Sequence, residues 1–583
     1  MSKIVAIGLS FLFFISACSS SYGINLEKKF HSATLVENIL FVGGDGAGNY
    51  TKIQDAIDDS NEGDTVFVYS GVYFEYITIN KSINLIGEEK NTTKIDGSNL
   101  SKIVISIFSE GTSINGFKIK NYGKEAIFIQ ANNTIVTNNI IGPQLQGWSG
   151  GGIRLYKANN NSIIANEISG VFNAVEIVDS DYNLIINNSI NSSYLYGIWI
   201  STSTNNKILS NTIDTGSPVG IPGSYIGIRL TESSHNNIAN NILISRNENC
   251  CNGLKLWDSF NNNLEENNFE NCGLNWHGYF NNNVKYNLVN KKPLLFLINQ
   301  SNLVIDNAGQ VFLFNCRNVR LNNLTIIKTP IAIDLFLSQD CEIKNVTCID
   351  NEYGIRLKKS KDNLISENKL INNEYGIYVD DGSSNTVISK NIVEENCYIG
   401  IYSTAPCVTI TQNKIFENSC GIMCNGFFAI KATIKLNTIS NNWFGISLSS
   451  KFSLVKNNLI EKNFQGIYLS GSADWNMIKS NHIFDNIHGI NITYEPQSFK
   501  SNSNWILKNN FVNNTEHARF DTSFCNHWIS NYWQGNIFPP YQIEGRISFY
   551  KIHPWSGGIV WEKHFSWFDF DWVPSLIQYD ILI

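Results

Sequence analysis

Arg154, Glu176, Arg229 and Lys255 each stand two positions after a recurring glycine (Ala174 in its place ahead of Glu176), as does Trp199, and Trp257 follows Lys255 by two. Guanidinium groups pair with carboxylates and aromatic faces stack on the apolar faces of rings, so such a column displayed on one surface suits an acidic glycan. The plainer reading is a cross-coil ion pair between Arg154 and Glu176 with solvated neighbours. The same position in the second half of the chain holds Arg356, Tyr378, Tyr402, Met423, Ser447, Tyr468 and Asn491. Hydrolysis asks for two carboxylates across one groove, and lyase chemistry for a calcium-binding acid cluster beside a basic group. Asp380-Asp381-Gly382 is the only tight acid pair on a coil, adjacent coils offer it no matching acid, and Lys358 and Lys359 are expected to stack beside it as charge compensation. His488-Gly489 falls on the repeat glycine and reads as structural. No residue is assigned as nucleophile or base.

Metal chemistry is poorly supplied. Cu(I) favours clustered Met, Cys and His, yet the chain has three Met and nine His. Its nearest approach to a cluster is His517 with Cys525-Asn526-His527. Eleven cysteines follow Cys18, irregularly spaced and without the doubled CxxC of a zinc site. Cys316 and Cys341 occupy matching places in successive coils, and Cys420 and Cys424 flank one Gly-Ile step. Buried thiols with one or two disulfides are expected, and neither a metal site nor a cofactor is assigned.

The elements that must position these residues are set by a repeat. Gly-Ile-x-Leu/Val steps recur about every 22 residues, as at Gly354, Gly376, Gly445 and Gly466. Between them falls an Asn-x-Ile/Leu step, at Asn166, Asn188, Asn211, Asn368, Asn391, Asn413, Asn437, Asn457 and Asn481. Apolar runs of three to five residues alternate in and out and end at Asn, Ser or Gly, which describes short strands joined by tight turns. Stacked coils about 4.8 Å apart put Ile on Ile and Asn on Asn. The fold class is all-β, a single right-handed parallel β-helix solenoid in which Asn serves turns and coil-to-coil hydrogen bonds. The Asn-x-Ser/Thr sequons, for example at Asn91, Asn191, Asn345 and Asn491, follow from that Asn excess.

Boundaries follow the repeat. Residues 1–17 form a signal peptide: Lys3, an apolar run from Ile4 to Phe14, then Ile15-Ser16-Ala17 before Cys18. This box is expected to lipidate Cys18 and tether the chain to a membrane from outside the cytoplasm; the alternative is a simple cleaved secretion signal. Residues 18–47 are tether and N-terminal segment. Residues 48–290 are the first half of the helix, opening with an amphipathic cap that places Ile53, Ala56 and Ile57 on one face behind a Thr51 N-cap. The beat fails over 291–330, read as an irregular coil or bend, and returns over 331–500. The 501–583 segment, which holds six of the thirteen tryptophans from Trp528 onward, reads as an aromatic C-terminal cap over the open solenoid end. With 16% charged residues and a formal net charge of −7, the 583-residue chain shows no basic footprint for nucleic acid.

The opening TKIQDAIDDSNEGDTVFVYSGVYFEYITINKSINLIGE, the interruption VNKKPLLFLINQSNLVIDNAGQVFLFNCRNVRLNNLTI, coils such as NEYGIRLKKSKDNLISENKLINNEYGIYV, and the NYW at 531–533 resemble NosD-type proteins of the pectin-lyase-like superfamily. The resemblance implies a right-handed parallel β-helix, export, and repeats of the carbohydrate-binding and sugar-hydrolase type. NosD itself implies copper-site maturation, a role that a shared repeat does not transfer. The resulting expectation is an exported, lipid-anchored cell-envelope protein that binds or scaffolds without catalysis, with acidic polysaccharide as the favoured ligand. A polysaccharide lyase, hydrolase or epimerase is the competing class, and a copper-handling accessory protein the third.

Overall fold

The computed structural model describes residues 38–99, 102–144, 150–191, 194–215, 225–246, 252–493, 501–535, 539–552 and 559–581. The expected signal segment, Cys18, Cys250 and Cys251 lie outside them. The chain is an all-β, right-handed parallel β-helix whose coils form two successive stacks. In the first stack one sheet runs from Ile39–Val42 to Asn283–Lys285, a second from Gly71–Tyr73 to Leu288–Val289, and a third, bearing the Gly-Ile steps, from Ile77–Ile79 to Gly273–His277. In the second stack the Gly-Ile sheet starts at Lys292–Ile298, and its companion sheets run from Val304–Ile305 to His527–Ile529 and from Thr325–Ile327 to Tyr532–Trp533.

The repeat stacks like on like. Ile153, Val175, Ile198, Ile228 and Leu254 are successive partners, as are Leu155, Ile177, Ile200, Leu230 and Leu256, and all ten are buried. Glycine precedes the inward residue because the next coil comes too close for a side chain: a Cβ on Gly227 would stand 2.6 Å from the Gly253 carbonyl oxygen. The Asn ladders carry hydrogen bonds from coil to coil. Asn188 Oδ1 accepts from the backbone N (2.9 Å) and Nδ2 (3.1 Å) of Asn166, and Asn188 repeats both contacts with Asn211. In the second stack the ladder member is Asn458, which is fully buried, and not Asn457, which sits in the turn at φ 54°. Two adjacent asparagines leave the sequence register open by one place, and burial decides it.

The N-terminal end of the first core is covered by helix α1, Ile53–Asp59, through Ile53, Ala56 and Ile57. Thr51 does not cap it. The N-cap position is Lys52, and the Glu75 carboxylate accepts from the backbone N–H groups of Ile53 (2.9 Å) and Gln54 (3.0 Å). A carboxylate at a helix N-terminus satisfies the orphan donors and complements the dipole.

The stretch where the beat fails is regular in structure. Strands Lys292–Ile298, Gln310–Phe314 and Ile331–Phe336 pair in parallel. Their continuous apolar runs have the character of strands buried on both faces. Val311 and Leu313 enter the second core, while Phe312 and Phe314 enter the first. The last coil of the first stack therefore rests on the outer face of the second Gly-Ile sheet, with Trp276 and Phe280 packed on Phe314 at 4.8 and 5.1 Å between centroids. Gln310 clamps the joint: its amide oxygen accepts from Leu274 N, and its nitrogen donates to the carbonyls of Leu274 and Ile331.

At the far end Trp528 and Trp533 lie in the second core. The Asp571 carboxylate terminates the Asn ladder by accepting from Asn531 N, Asn531 Nδ2 and Trp533 Nε1. Strands Tyr541–Ile552 and Ile559–Asp571 form an antiparallel hairpin, on which Trp567 is exposed; Trp572, just past it, is exposed as well. Among the described residues no helix is long and apolar enough to cross a membrane. The nine described cysteines are all free thiols, six of them buried.

Candidate functional site

Outward residues of the first Gly-Ile sheet stand in one register: Phe128, Arg154, Glu176, Trp199, Arg229, Lys255 and Asn275. Arg154 lies between two carboxylates, 3.3 Å from Glu125 and 3.5 Å from Glu176. Burial raises the Glu176 carboxyl above its ordinary value, and Arg154 opposes that rise. This end of the column is an ion-pair network.

The other end is a platform of rings and cations. Arg229 Nη1 donates to the Tyr196 hydroxyl at 2.5 Å, and its guanidinium lies 5.2 Å from the Tyr196 ring and 5.9 Å from Trp257. Lys255 stands 5.5 Å from the Trp257 ring, and Trp257 stacks on His277 at 4.2 Å. Trp199 Nε1 donates to Thr231 Oγ1, which also receives Arg229 Nε. Trp257 faces outward one column over, in register with Thr231 and His277.

The platform continues onto the second stack. Trp276 Nε1 donates to Asp334 Oδ2 at 2.6 Å, and Arg356 grips the same carboxylate bidentately at 3.0 and 2.7 Å. This pair is buried, so the expected outward position of Arg356 is corrected: the end of the first stack covers it. Ser447 and Asn491 of the same column are buried as well. Lys358 lies over the Trp276 ring at 6.0 Å, and burial pulls its ammonium below the usual lysine range. Asp380 accepts from the backbone N of Lys359 and Gly382 and from the Ser383 hydroxyl, a turn-forming role.

Two places before each glycine, a position the repeat does not advertise, come Glu352 and Glu374. Burial holds Glu352 above the usual carboxylate range; Glu374 adds to that, while Lys255 and Arg356 oppose it. Glu374 is raised by burial too. Lys255 of the first stack thus shares its surroundings with Glu352 of the second. Around them lie stacked tyrosines, Tyr353 on Tyr375 at 5.1 Å and Tyr378 on Tyr402 at 5.0 Å, and further along Trp443 on Phe464 at 4.1 Å. The clue in sequence was Glu-Tyr-Gly at 352–354 and again at 374–376, which repeats an acid and an aromatic at one coil position. A separate groove of about 400 Å³, lined by Val284, Tyr286 and Leu294 to Ile298 among others, contains none of these groups.

The arrangement can hold rings by stacking and anions by Arg229 and Lys255. Among the described residues no three His, Cys, Asp or Glu side chains converge. His517 meets Asn514 and the Gln534 carbonyl, and His527 packs against Trp505. Strand alternation turns Met423 outward and Cys424 into the core, where burial pushes its thiol up to about 12 and disfavours the thiolate a metal would need.

A family model described as "Periplasmic copper-binding protein (NosD)" matches residues 295–427 and 403–542, and one described as "Right handed beta helix region" matches residues 101–269. The chain is thus a right-handed β-helix repeat protein with NosD-type coils in its second half, though the described residues do not fit a copper site. None of the curated proteins matches it. Among solved structures it is similar to the catalytic domain of a GH87 α-1,3-glucanase in complex with nigerose (12% identity, TM-score 0.35, 60% of this chain and 66% of that one). It is also similar to pectin methylesterase from carrot (15%, 0.30, 40% and 84%) and to the Dettilon tailspike protein (15%, 0.34, 68% and 72%).

Proposed function

We propose that this chain is an extracytoplasmic glycan-binding β-helix that acts without catalysis, with the saccharide lying where the two Gly-Ile sheets meet, from Trp199 and Arg229 past Lys255 and Trp257 toward Tyr353 and Tyr378. The observation that carries the reading is the continuity of ring stacks and cations over the joint: Trp257 on His277, Tyr353 on Tyr375, and Tyr378 on Tyr402, with Arg229 and Lys255 beside them. Aromatic faces supply contact area for sugar rings, and the cations suit uronate carboxylates. Export and lipidation at Cys18 rest on the N-terminal box and accord with a family description that includes the word periplasmic.

A glycan array probed with the mature protein tests this, each hit then being incubated with and without calcium. An acidic glycan is expected to bind, and the double variant Trp257→Ala/Arg229→Ala to lose at least about ten-fold in affinity, as removal of a stacking ring and a charge-assisted contact costs on the order of 1.4 kcal/mol or more. Retained binding by that variant would move the site elsewhere.

A second reading is a hydrolase. It is favoured by Glu352 and Glu374, whose raised carboxyls have the protonation behaviour of a general acid. Release of product from a bound glycan would replace the non-catalytic reading with this one.

A further inference from the structure

Stacked cations in this protein are usually answered by carboxylates. Arg320 pairs across the coil with Glu342, Arg317 with Asp340, Lys344 with Glu367 and Lys451 with Asp474. The longest departure from that habit is a single column. Lys435, Lys456 and Lys479 are consecutive register partners on the companion sheet that starts at Val304–Ile305, so three ammonium groups project from the same face, one per coil about 4.8 Å apart. It is the longest in-register run of like charge among the described strands, and none of the three lysines pairs with a carboxylate there. Like charges placed directly opposite destabilise a sheet.

Beside this cationic rail runs an apolar one. Leu454, Met477 and Trp505 are register partners two positions before Lys456, Lys479 and Leu507 in their strands, and period-two alternation puts them on the same outward face. Met477 and Trp505 are exposed, Trp505 packs against His527 at 4.3 Å with the rings tilted, and the nearby turn residue Trp475 is exposed too. Leu507 takes the next place in the column, and Lys508 is the exposed turn residue after it.

We infer that this face is a second binding track, separate from the joint of the Gly-Ile sheets, for a linear uronate-type polysaccharide lying along the solenoid axis. The lysines meet carboxylates that recur along the polymer, and the Leu454, Met477 and Trp505 rail receives the apolar faces of its sugar rings. A straight, single-file row of charges at the coil repeat fits a one-dimensional polymer. A bilayer would engage a broad surface, and a net charge of −7 works against nucleic acid.

The test is binding of polygalacturonate to the mature protein at 50 and 200 mM salt, with a single-stranded DNA oligonucleotide and anionic phospholipid vesicles as comparators. The proteins compared are wild type, Lys435→Glu/Lys456→Glu/Lys479→Glu, Trp505→Ala, and the joint variant Trp257→Ala/Arg229→Ala. Wild-type affinity should fall at least about ten-fold over that salt range, as expected for several charge contacts. The lysine triple should lose at least ten-fold and Trp505→Ala several-fold, with native circular dichroism in both. The lysine triple and Trp505→Ala are read in the Trp257→Ala/Arg229→Ala background as well as alone, so that the joint site cannot mask the track and each site's failure is seen by itself. Unchanged affinity in the lysine triple overturns the proposal. So does binding to DNA or vesicles that equals or exceeds polygalacturonate binding and is lost with the same three lysines, because charge alone would then be recognised.

Discussion

The outward columns of the two Gly-Ile sheets occupy the same place in the coil and live in different surroundings. In the first stack Phe128 is half-buried and Arg154 keeps 35% of its side chain exposed. In the second, Phe312 is fully buried and Arg356 keeps 7%. The repeat is the same; the difference is that the last coil of the first stack rests on the first strands of the second. A column position in a solenoid therefore fixes which residues are neighbours and leaves open whether they meet solvent. The proposed glycan site follows that difference, because the surface beside the covered strip, rather than the strip itself, gathers rings and charges.

The largest expected effect comes from the arginines. Arg356→Met leaves Asp334 buried with only Trp276 as partner, and should cost about 3–5 kcal/mol in denaturant unfolding, because an unpaired buried charge keeps its desolvation penalty. Arg154→Met should cost under about 1 kcal/mol, as for a partly exposed ion pair. Equal losses would erase the distinction between the two columns.

The phenylalanines come next. Phe312→Ala should cost about 3–4 kcal/mol through the cavity it opens at the joint, and Phe128→Ala about 1 kcal/mol, both read from urea midpoints at constant slope. A slope that changes only for Phe312→Ala would sharpen the comparison further, since it would report the stacks parting as separate units.

The smallest effect is in pH. Glu352 has its folded-state pKa raised, so the folded protein binds the proton more tightly than the unfolded chain does. Its contribution is unpenalised below the ordinary glutamate value near 4.3, and stability is lost as pH rises through the raised value. Glu352→Gln should therefore match wild type at low pH and become the more stable form as pH climbs through that window, as thermal midpoints at several pH values would reveal. A pH-independent difference would mean that Lys255 and Arg356 fully offset the burial.

Much of the fold was legible because side-chain direction along a strand alternates and glycine marks where coils touch. Those two facts place Arg154 opposite Glu176, Glu176 opposite Trp199, and Arg229 opposite Lys255, as the structure has them. They do not choose between Asn457 and Asn458, which offer the same side chain to a turn and to a buried ladder. Nor do they reveal Glu75 as the cap of α1, since it stands beyond the helix in sequence and returns to it only through the next coil. The run from Lys292 to Ile298 looked irregular because it carries apolar residues on both faces, and a strand has that pattern only where something covers its outer side.

The sequence by itself determined the coil, the alignment of its Gly-Ile columns and its chemistry of stacking, because these are local consequences of period-two alternation and of the size of glycine and asparagine. Only the tertiary structure decided that Trp276 would reach Asp334, that Arg356 would be buried, and that Glu352 would share its surroundings with Lys255. Trp276 and Asp334 are 58 places apart, and Lys255 and Glu352 are 97, across two separately stacked sheets. These contacts depend on the angle at which one stack lands on the other, and that angle is set by the shape of the packed aromatic joint, which no repeat within a single coil encodes.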